Sequence, residues 1–375
     1  MWLHYNIIII LILLGVLIYF NGRSRNKDKL FISISFIMFF ILSAFRSENI
    51  GNDTFSYISL FERIANKNDF SQFTSGYETG YVYLNKLIST INPHPQFFLI
   101  FTSIILLIGF AFFIYKKSNN VFLSVFLFYT LGFYGSSLNI LRQYIALLII
   151  LLAYEYMRKK KIFVAIILIL LASQFHATAL IGFLLLLIPY IRFNYKIIFI
   201  FICVSILIQF SFGFIINLVF TISPKYHVYL NSAYFEGEIR LASILNLLII
   251  FIIFIMGLIL NYNTKPEKYS AEIKLGSVKH KKIISDNYAM QYLILFSACI
   301  TFISLKFNLI ERLSEYFFVF SIIYLPNILS KIREKKLYTI IVYLVCVFSF
   351  IYITVILLFR PEWNRIFPYE FFWQI

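Results

Sequence analysis

The chain has 375 residues, of which 61% are hydrophobic and 13% charged, and its formal net charge is +16. With a mean hydropathy of +0.84, little of the chain can form a water-soluble domain. The composition excludes an ordinary globular enzyme and indicates a polytopic membrane protein. The positive charge alone would suit a nucleic-acid partner, but in a membrane protein it has to be assigned loop by loop.

Twelve apolar runs each approach or reach the ~20 residues that span the hydrocarbon core of a bilayer. We therefore predict an all-α protein with about twelve transmembrane helices in one transmembrane domain, residues 1–375. The boundary around "SQFHATAL" is the least defined, because it separates two runs that could form one bent segment. The runs lie at about 2–20, 30–45, 96–115, 121–137, 139–157, 162–177, 179–191, 197–220, 241–261, 288–305, 313–330 and 337–359.

The basic residues assign a side to each loop. With the amino terminus outside, the cytoplasmic segments carry 22 of the 33 Lys and Arg, as the positive-inside rule requires. This asymmetry and lipid headgroups account for the net charge, so we expect membrane lipids as partners and no nucleic acid. The cytoplasmic segments are 21–29, 116–120, 158–161, 192–196, 262–287 and 331–336.

Three connecting segments are long enough to have a function of their own. Two of them, 46–96 and 221–240, are predicted to be extracytoplasmic, and the third is the basic cytoplasmic loop 262–287, interpreted as a tether near anionic lipid. The first contains "YETGYVYLNKLISTI", which predicts an amphipathic helix on the outer surface. Its apolar positions are Tyr81, Leu84, Leu87, Ile88 and Ile91.

Ionisable and polar residues gather near the outer leaflet. Arg142 and Gln143 lie one turn inside the fifth span, on a helix face shared with Asn139 and Ala146, and His176 ends the sixth span. Each has an alternative interpretation: Arg142 could extend to the lipid headgroups, and His176 could be an ordinary helix-end residue. Further polar residues predicted at this depth are Arg46, Glu48, Asn52, Asp53, Glu311, Arg312, Glu315 and Tyr316.

Together these residues predict an outward-facing cavity, because buried ionisable groups need partners or a ligand. An arginine there suits a phosphate, since the guanidinium makes two charge-assisted hydrogen bonds and keeps its charge when desolvated. The sequence has no P-loop, dinucleotide-binding turn, HExxH or CxxC motif, and it shows no cluster of metal ligands. We therefore expect no cofactor and no metal, and a membrane-borne activated substrate such as a lipid pyrophosphate.

Five separated motifs resemble the EpsG family of bacterial exopolysaccharide proteins, which is akin to Wzy-type repeat-unit polymerases. They occur in order along most of the chain. The stretches are "RSENIGNDTFSYISLF" (46–61), "YETGYVYLNKLI" (77–88), "LRQYIA" (141–146), "SQFHATAL" (173–180) and "ERLSEYF" (311–317).

The resemblance implies a membrane glycosyltransferase of GT-C-like helical architecture. Such an enzyme joins undecaprenyl-pyrophosphate-linked oligosaccharides into a capsule, exopolysaccharide or O-antigen on the outer face of the bacterial cytoplasmic membrane. A flippase and a chain-length regulator are the protein partners expected in such a pathway. A polysaccharide or lipid-oligosaccharide transporter, or a ligase or acyltransferase of the same pathway, remains an alternative.

In the reaction that the resemblance implies, the protein must neutralise the negative charge that develops on the leaving pyrophosphate and accept a proton from the attacking hydroxyl. The candidates for the first are Arg46, Arg142 and Arg312. Gln143, Glu311 and Tyr316 are further substrate-binding candidates. The candidate catalytic residues for the second are Asp53, Glu78 and His176, and the sequence leaves the choice among them open.

Overall fold

The computed structural model describes residues 1–190, 194–222, 240–262 and 286–374. This part of the chain is helical, and it holds no strand beyond an isolated antiparallel bridge between Arg46 and Phe371. The predicted all-α class is confirmed. The α-helices are α1 (Trp2–Tyr19), α2 (Arg25–Ala44), α3 (Thr54–Ala65), α4 (Thr79–Ile91), α5 (Pro95–Lys117), α6 (Val121–Thr130), α7 (Phe133–Asn139), α8 (Leu141–Arg158), α9 (Ile162–Ser173), α10 (Tyr195–Phe210), α11 (Phe212–Ile222), α12 (Leu241–Tyr262), α13 (Asp286–Ser304), α14 (Glu311–Phe318), α15 (Ser321–Leu329) and α16 (Lys335–Phe359).

Short 3-10 helices connect several of these elements. Ser71–Ser75 precedes α4, and Ala177–Tyr190 follows α9 where the second of two adjacent spans was predicted. Asn308–Ile310 leads into α14, and Pro361–Trp363 and Phe372–Gln374 lie beyond α16.

Several helices are suited to cross a bilayer. Within the described residues, α1, α5, α12, α13 and α16 are long and apolar enough to do so, and the number rises from 5 to 7 if two bent pairs each form one span. The pairs are α6 with α7, bent by 50°, and α10 with α11, bent by 71°. These helices support a multi-pass membrane protein, whereas the number of twelve spans stays a prediction.

The outer faces of these helices are apolar, as lipid contact requires. Leu17 on α1, Ile108 on α5, Ile259 on α12 and Phe348 on α16 are all more than 60% exposed. A water-soluble surface rarely carries so many large apolar side chains. The apolar residues that raise the hydropathy of the sequence therefore lie partly on the exposed helix faces and not only in the protein core.

The apolar run at 121–137 is interrupted at Gly132, which has a φ of +86°. This left-handed conformation suits glycine, because a side chain would strain the backbone. A second break follows at Ile140, between α7 and α8. The predicted helix face shared by Asn139 and Arg142 is therefore wrong, since Asn139 belongs to α7 and Arg142 to α8.

The 46–96 segment folds into two helices. The predicted helix at 77–91 is observed as α4, and it packs against α3, which the sequence analysis did not predict. The predicted apolar face is only partly correct: Tyr81 and Ile88 are buried, but Leu87 is 58% and Ile91 61% exposed. The buried face also contains Asn85, whose side-chain amide donates to the Tyr81 carbonyl within the helix at 2.8 Å, while its Oδ1 is buried without a partner among the described residues.

The described chain divides into two compact units. Unit 1 comprises Met1–Ala153, Ile166–Leu180 and Leu329–Ile375, and unit 2 comprises Tyr154–Ala165 and Ile181–Ile328. In unit 1, α2 packs on α5 and α6 packs on α16; in unit 2, α13 packs against α10, α12 and α14. Most of the predicted loops 221–240 and 262–287 lies outside the described residues.

Candidate active site

Glu78 occupies the residue before α4, with an extended backbone (φ −60°, ψ 133°). Its side chain does not cap its own helix. The carboxylate instead contacts α8 and the segment that follows α9. A carboxylate at the start of a helix also benefits from the helix dipole.

The Glu78 carboxylate contacts two other residues singled out in the sequence, Arg142 and His176. Arg142 donates from Nη1 to Oε2 at 2.5 Å, and His176 Nδ1 lies 3.2 Å from Oε1. The backbone N–H of Ala177 also donates to Oε1, at 3.2 Å. We call Glu78, Arg142 and His176 the Glu78 cluster; all three belong to unit 1.

Gly80 allows α4 to approach the end of α9 closely enough to form this cluster. A Cβ atom at Gly80 would lie 2.8 Å from the Gln174 carbonyl oxygen, closer than real Cβ atoms come. At the same place the Tyr81 N–H donates to that carbonyl at 3.1 Å. The glycine in "YETGY" is thus explained by a close backbone approach next to Glu78.

Aromatic rings surround the Arg142 guanidinium. Its Cζ atom lies 5.4 Å from the ring centre of Tyr77 and 5.8 Å from that of Tyr81. The side chain is 25% exposed, yet Nε is buried and has no hydrogen-bond partner within the described part of the chain. Since Glu78 takes Nη1, the edge formed by Nε and Nη2 is left without an acceptor, which is costly unless a ligand supplies one.

The environment of Glu78 determines its protonation. Burial opposes ionisation, but the hydrogen bond with His176 and the positive charge of Arg142 outweigh it and lower the pKa of Glu78 to about 2. The carboxylate is therefore ionised at neutral pH and is a weak proton acceptor. This favours an orienting role for Glu78 among the three candidate catalytic residues.

His176 lies in a turn immediately after α9, where its N–H bonds to the Ala172 carbonyl at 3.1 Å. Glu78 engages Nδ1, and Nε2 makes no hydrogen bond with the described residues. A carboxylate that holds one imidazole nitrogen leaves the other available to accept a proton. His176 is thus the candidate base whose geometry suits the task.

Asp53 and Arg46 lie in unit 1 but have no described contact with the Glu78 cluster. Asp53 precedes α3 without capping it. Arg46 is only 1% exposed; it donates to the carbonyl and hydroxyl oxygens of Ser43, and its Nε is buried without a partner among the described residues. In this structure the Arg46 guanidinium is enclosed and does not reach the cluster. Gln143 is also in unit 1 and is buried at the start of α8.

The segment after α16 contacts the start of the 46–96 segment, and none of the five motifs lies in it. Asn139 links three parts of unit 1: Oδ1 accepts from the Asn52 N–H at 2.5 Å, and Nδ2 donates to the Asn364 carbonyl at 2.9 Å. The Gly51 N–H donates to the Arg365 carbonyl and the Ser47 N–H to the Glu370 carbonyl, both at 3.0 Å. The polar stretch "SSLN" within an apolar run could have drawn attention to Asn139. Its hydrogen-bond partners could not be predicted, because they are too distant in the sequence.

The other three candidates belong to unit 2. The Glu311 carboxylate accepts from Asn246 Nδ2 at 2.6 Å and from Ser243 Oγ at 3.1 Å. Arg312 follows it on α14, and Tyr316 is fully buried. Ser243 and Asn246, on one face of α12, were not singled out from the sequence, because isolated Ser and Asn residues in an apolar run carry no distinctive signal.

Within the described residues, no three His, Cys, Asp or Glu side chains lie together in a way that could hold a metal ion. The Glu78 cluster consists of an ion pair with an attached imidazole. Such a group can hold an anion through the arginine and move a proton through the histidine.

Comparison with known proteins agrees with the motifs. The model of the EpsG family matches residues 29–371, nearly the whole chain. No curated protein and no solved structure gives a significant match. The matched region includes every member of the Glu78 cluster and most of the segment after α16. EpsG-like proteins are Wzy-like polymerases associated with exopolysaccharides, and this chain belongs to the EpsG family.

Proposed function

We propose that this protein polymerises oligosaccharide repeat units carried on a lipid pyrophosphate, undecaprenyl pyrophosphate, at the outer face of the bacterial cytoplasmic membrane. The product is a capsule, exopolysaccharide or O-antigen chain. We further propose twelve spans in a GT-C-like arrangement, which places the Glu78 cluster on the outer side. Family membership and the multi-pass helices support this proposal.

The observation that carries the proposal is the free edge of Arg142. Glu78 holds Nη1, and the tyrosine rings flank the guanidinium. The Nε and Nη2 donors lie along the opposite edge, the geometry that binds two oxygens of a phosphate; Nε is buried against the protein, so we propose that the bound substrate uncovers this edge. An arginine held in advance stabilises charge on the leaving group without reorganising during the reaction.

The proposed step is a glycosyl transfer. The hydroxyl oxygen of the acceptor sugar bonds to the anomeric carbon of the donor, and the bond from that carbon to the pyrophosphate oxygen breaks. The lipid pyrophosphate leaves with the electron pair, next to Arg142. His176 Nε2 accepts the hydroxyl proton, while Glu78 keeps the imidazole oriented.

The decisive experiment measures polymer formed by the purified protein from purified lipid-linked repeat units. Arg142→Lys keeps the charge but loses the two-donor edge, so we expect a rate about 10²-fold lower, the usual cost of losing one donor that stabilises transition-state charge. Arg360→Lys is the matched control, because Arg360 is an exposed arginine paired with a carboxylate, Glu362, at 3.5 Å. A fully active, well-expressed Arg142→Lys variant contradicts the pyrophosphate role and supports simple anchoring to headgroups.

Deletion of the gene separates polymerisation from transport. A polymerase defect accumulates single lipid-linked repeat units on the outer leaflet. Repeat units trapped on the inner leaflet instead contradict the proposal and indicate a flippase.

A further inference from the structure

A surface cleft lies in the 46–96 segment, and its residues immediately precede Glu78 in the sequence. Its volume is about 480 Å³, within the ~300–1,000 Å³ range of small-molecule sites. The end of α3 and the 3-10 helix Ser71–Ser75 form its walls. The side chains that matter for binding are Glu62, Arg63, Asn66, Lys67, Gln72 and Phe73.

Three polar side chains of this cleft have no partner in the described structure, whereas Arg63 donates from Nε to the Ser59 carbonyl at 3.3 Å. The side chains of Glu62, Asn66 and Lys67 are exposed and make no hydrogen bond or ion pair with the described residues. Gln72 donates from Nε2 to the Asp69 carbonyl at 2.8 Å, which leaves its oxygen to accept. The cleft therefore offers a carboxylate, two amides and an ammonium group to a ligand.

An aromatic ring completes this set. Phe73 is half-buried, and the Arg63 guanidinium lies 5.8 Å from its ring centre. Sugars present hydroxyl groups, which donate and accept hydrogen bonds, together with an apolar C–H face that packs on an aromatic ring. Arg63 and Lys67 outweigh the carboxylate of Glu62, so charge alone would also suit an anionic headgroup; the two amides and the aromatic ring are what favour a glycan.

The backbone between Phe73 and Tyr77 links the cleft to the Glu78 cluster. The Phe73 carbonyl accepts from the Tyr77 N–H at 3.1 Å and from the Gly76 N–H at 3.2 Å. The Tyr77 ring in turn lies 5.4 Å from the Arg142 guanidinium. Two of the lining residues, Gln72 and Phe73, thus belong to the short segment that leads into Tyr77 and Glu78.

We propose that this cleft is a glycan-binding subsite, which holds sugar residues of the lipid-linked chain beyond those attached to the pyrophosphate. This inference rests on the proposed polymerase function and adds a second contact with the same substrate. Binding away from the reacting bond would keep a growing chain on the protein between additions and so lengthen the polymer.

The test uses the full-length protein with two cleft variants, Glu62→Gln and Asn66→Ala. The probe is the repeat-unit oligosaccharide released from its lipid, titrated against the purified protein. Each variant should bind it about fivefold more weakly, as expected for one lost hydrogen bond, and should produce shorter polymer while still forming the first linkage. Asn68→Ala is the matched control, since Asn68 is an exposed asparagine outside the cleft lining.

The possible results separate the two proposals. If the wild type polymerises and both cleft variants match Asn68→Ala in binding and polymer length, the subsite is wrong and the polymerase stands. If the wild type forms no polymer but binds the oligosaccharide in a way that Glu62→Gln weakens, the polymerase is wrong and the subsite stands. Binding of anionic-lipid vesicles in place of the oligosaccharide, lost in Lys67→Ala, would also overturn the subsite.

Discussion

Replacing Glu78 by glutamine tests the centre of the candidate active site with almost no change in volume. Both carboxylate oxygens accept hydrogen bonds from N–H donors: Oε2 from Arg142, and Oε1 from Ala177 and His176. A glutamine amide has only one accepting oxygen. In either orientation its NH₂ group faces a donor, so at least one of these contacts is lost.

The cost can be estimated from the ionisation of Glu78. Its pKa is lowered from the ordinary 4.5 to about 2, which corresponds to about 3 kcal/mol of stability at neutral pH. The side chain is 18% exposed, so solvent screening is limited. We expect Glu78→Gln to lower the free energy of unfolding by about this amount and the Tm in detergent by several degrees.

Glu78→Gln should also lower the rate of polymer formation, by more than partial unfolding would explain. Without the carboxylate, the His176 ring loses the contact that keeps Nε2 free to accept a proton, and Arg142 loses its anchor. We expect the rate of polymer formation from lipid-linked repeat units to fall at least about 10²-fold at a temperature where the variant is folded.

The matched control is Glu48→Gln. Glu48 is a half-buried glutamate of the same 46–96 segment and makes no hydrogen bond or ion pair with the described residues. Its replacement should leave both Tm and rate close to wild type. If Glu78→Gln behaves like Glu48→Gln in both measurements, the Glu78 cluster is neither a structural nor a catalytic unit.

The remaining predictions concern pH, the proton acceptor, the segment after α16 and topology. Because the folded-state pKa of Glu78 is lowered, its stabilisation is present above pH ~4.5 and lost as pH falls towards 2; the Tm difference between wild type and Glu78→Gln should be constant from about pH 5 to 8 and shrink below about 4.5, and a difference that grows on acidification contradicts this. His176→Asn keeps an N–H donor at the position of Nδ1, facing Glu78, so it should slow polymer formation at least about 10²-fold with little change in Tm; normal kinetics would exclude His176 as the proton acceptor. Asn139→Ala should lower the free energy of unfolding by about 1–3 kcal/mol, through lost hydrogen bonds that are partly buried, whereas Asn68→Ala should not; equal unfolding curves refute the link between the 46–96 segment and the segment after α16. In a background without the three native cysteines, an impermeant thiol reagent should label Asn68→Cys but not Lys160→Cys in intact cells; the reverse pattern inverts the topology.

Local properties of the sequence predicted the class of protein and the positions of most helices. A run of apolar residues identifies a membrane helix without any knowledge of its neighbours, because the bilayer and not the rest of the fold is its solvent. The helix at α4 was likewise visible from its periodicity. The breaks at Gly132 and Ile140 were missed because their flanking residues continue the apolar pattern on both sides.

The same local reasoning identified Arg142 and His176 as residues of interest, and the motif "YETGYVYLNKLI" added Glu78, but none of the three was predicted to be a partner of another. A charge in an apolar helix is conspicuous whatever it contacts, since burying it is costly. The sequence alone equally offered Asp53 and Arg46, which have no described contact with the Glu78 cluster. Composition and motifs cannot rank such candidates, because each is an ionisable residue predicted near the outer leaflet.

Only the tertiary structure decided which residues meet. Glu78 is separated by 64 residues from Arg142 and by 98 from His176, and Asn139 is separated by 225 from Asn364. Contacts at such separations depend on how helices pack and where chain breaks redirect them, and no short sequence window contains that information. The orienting role of Glu78, the free edge of Arg142 and the link between the 46–96 segment and the tail therefore follow from packing, whereas membrane residence follows from hydropathy alone.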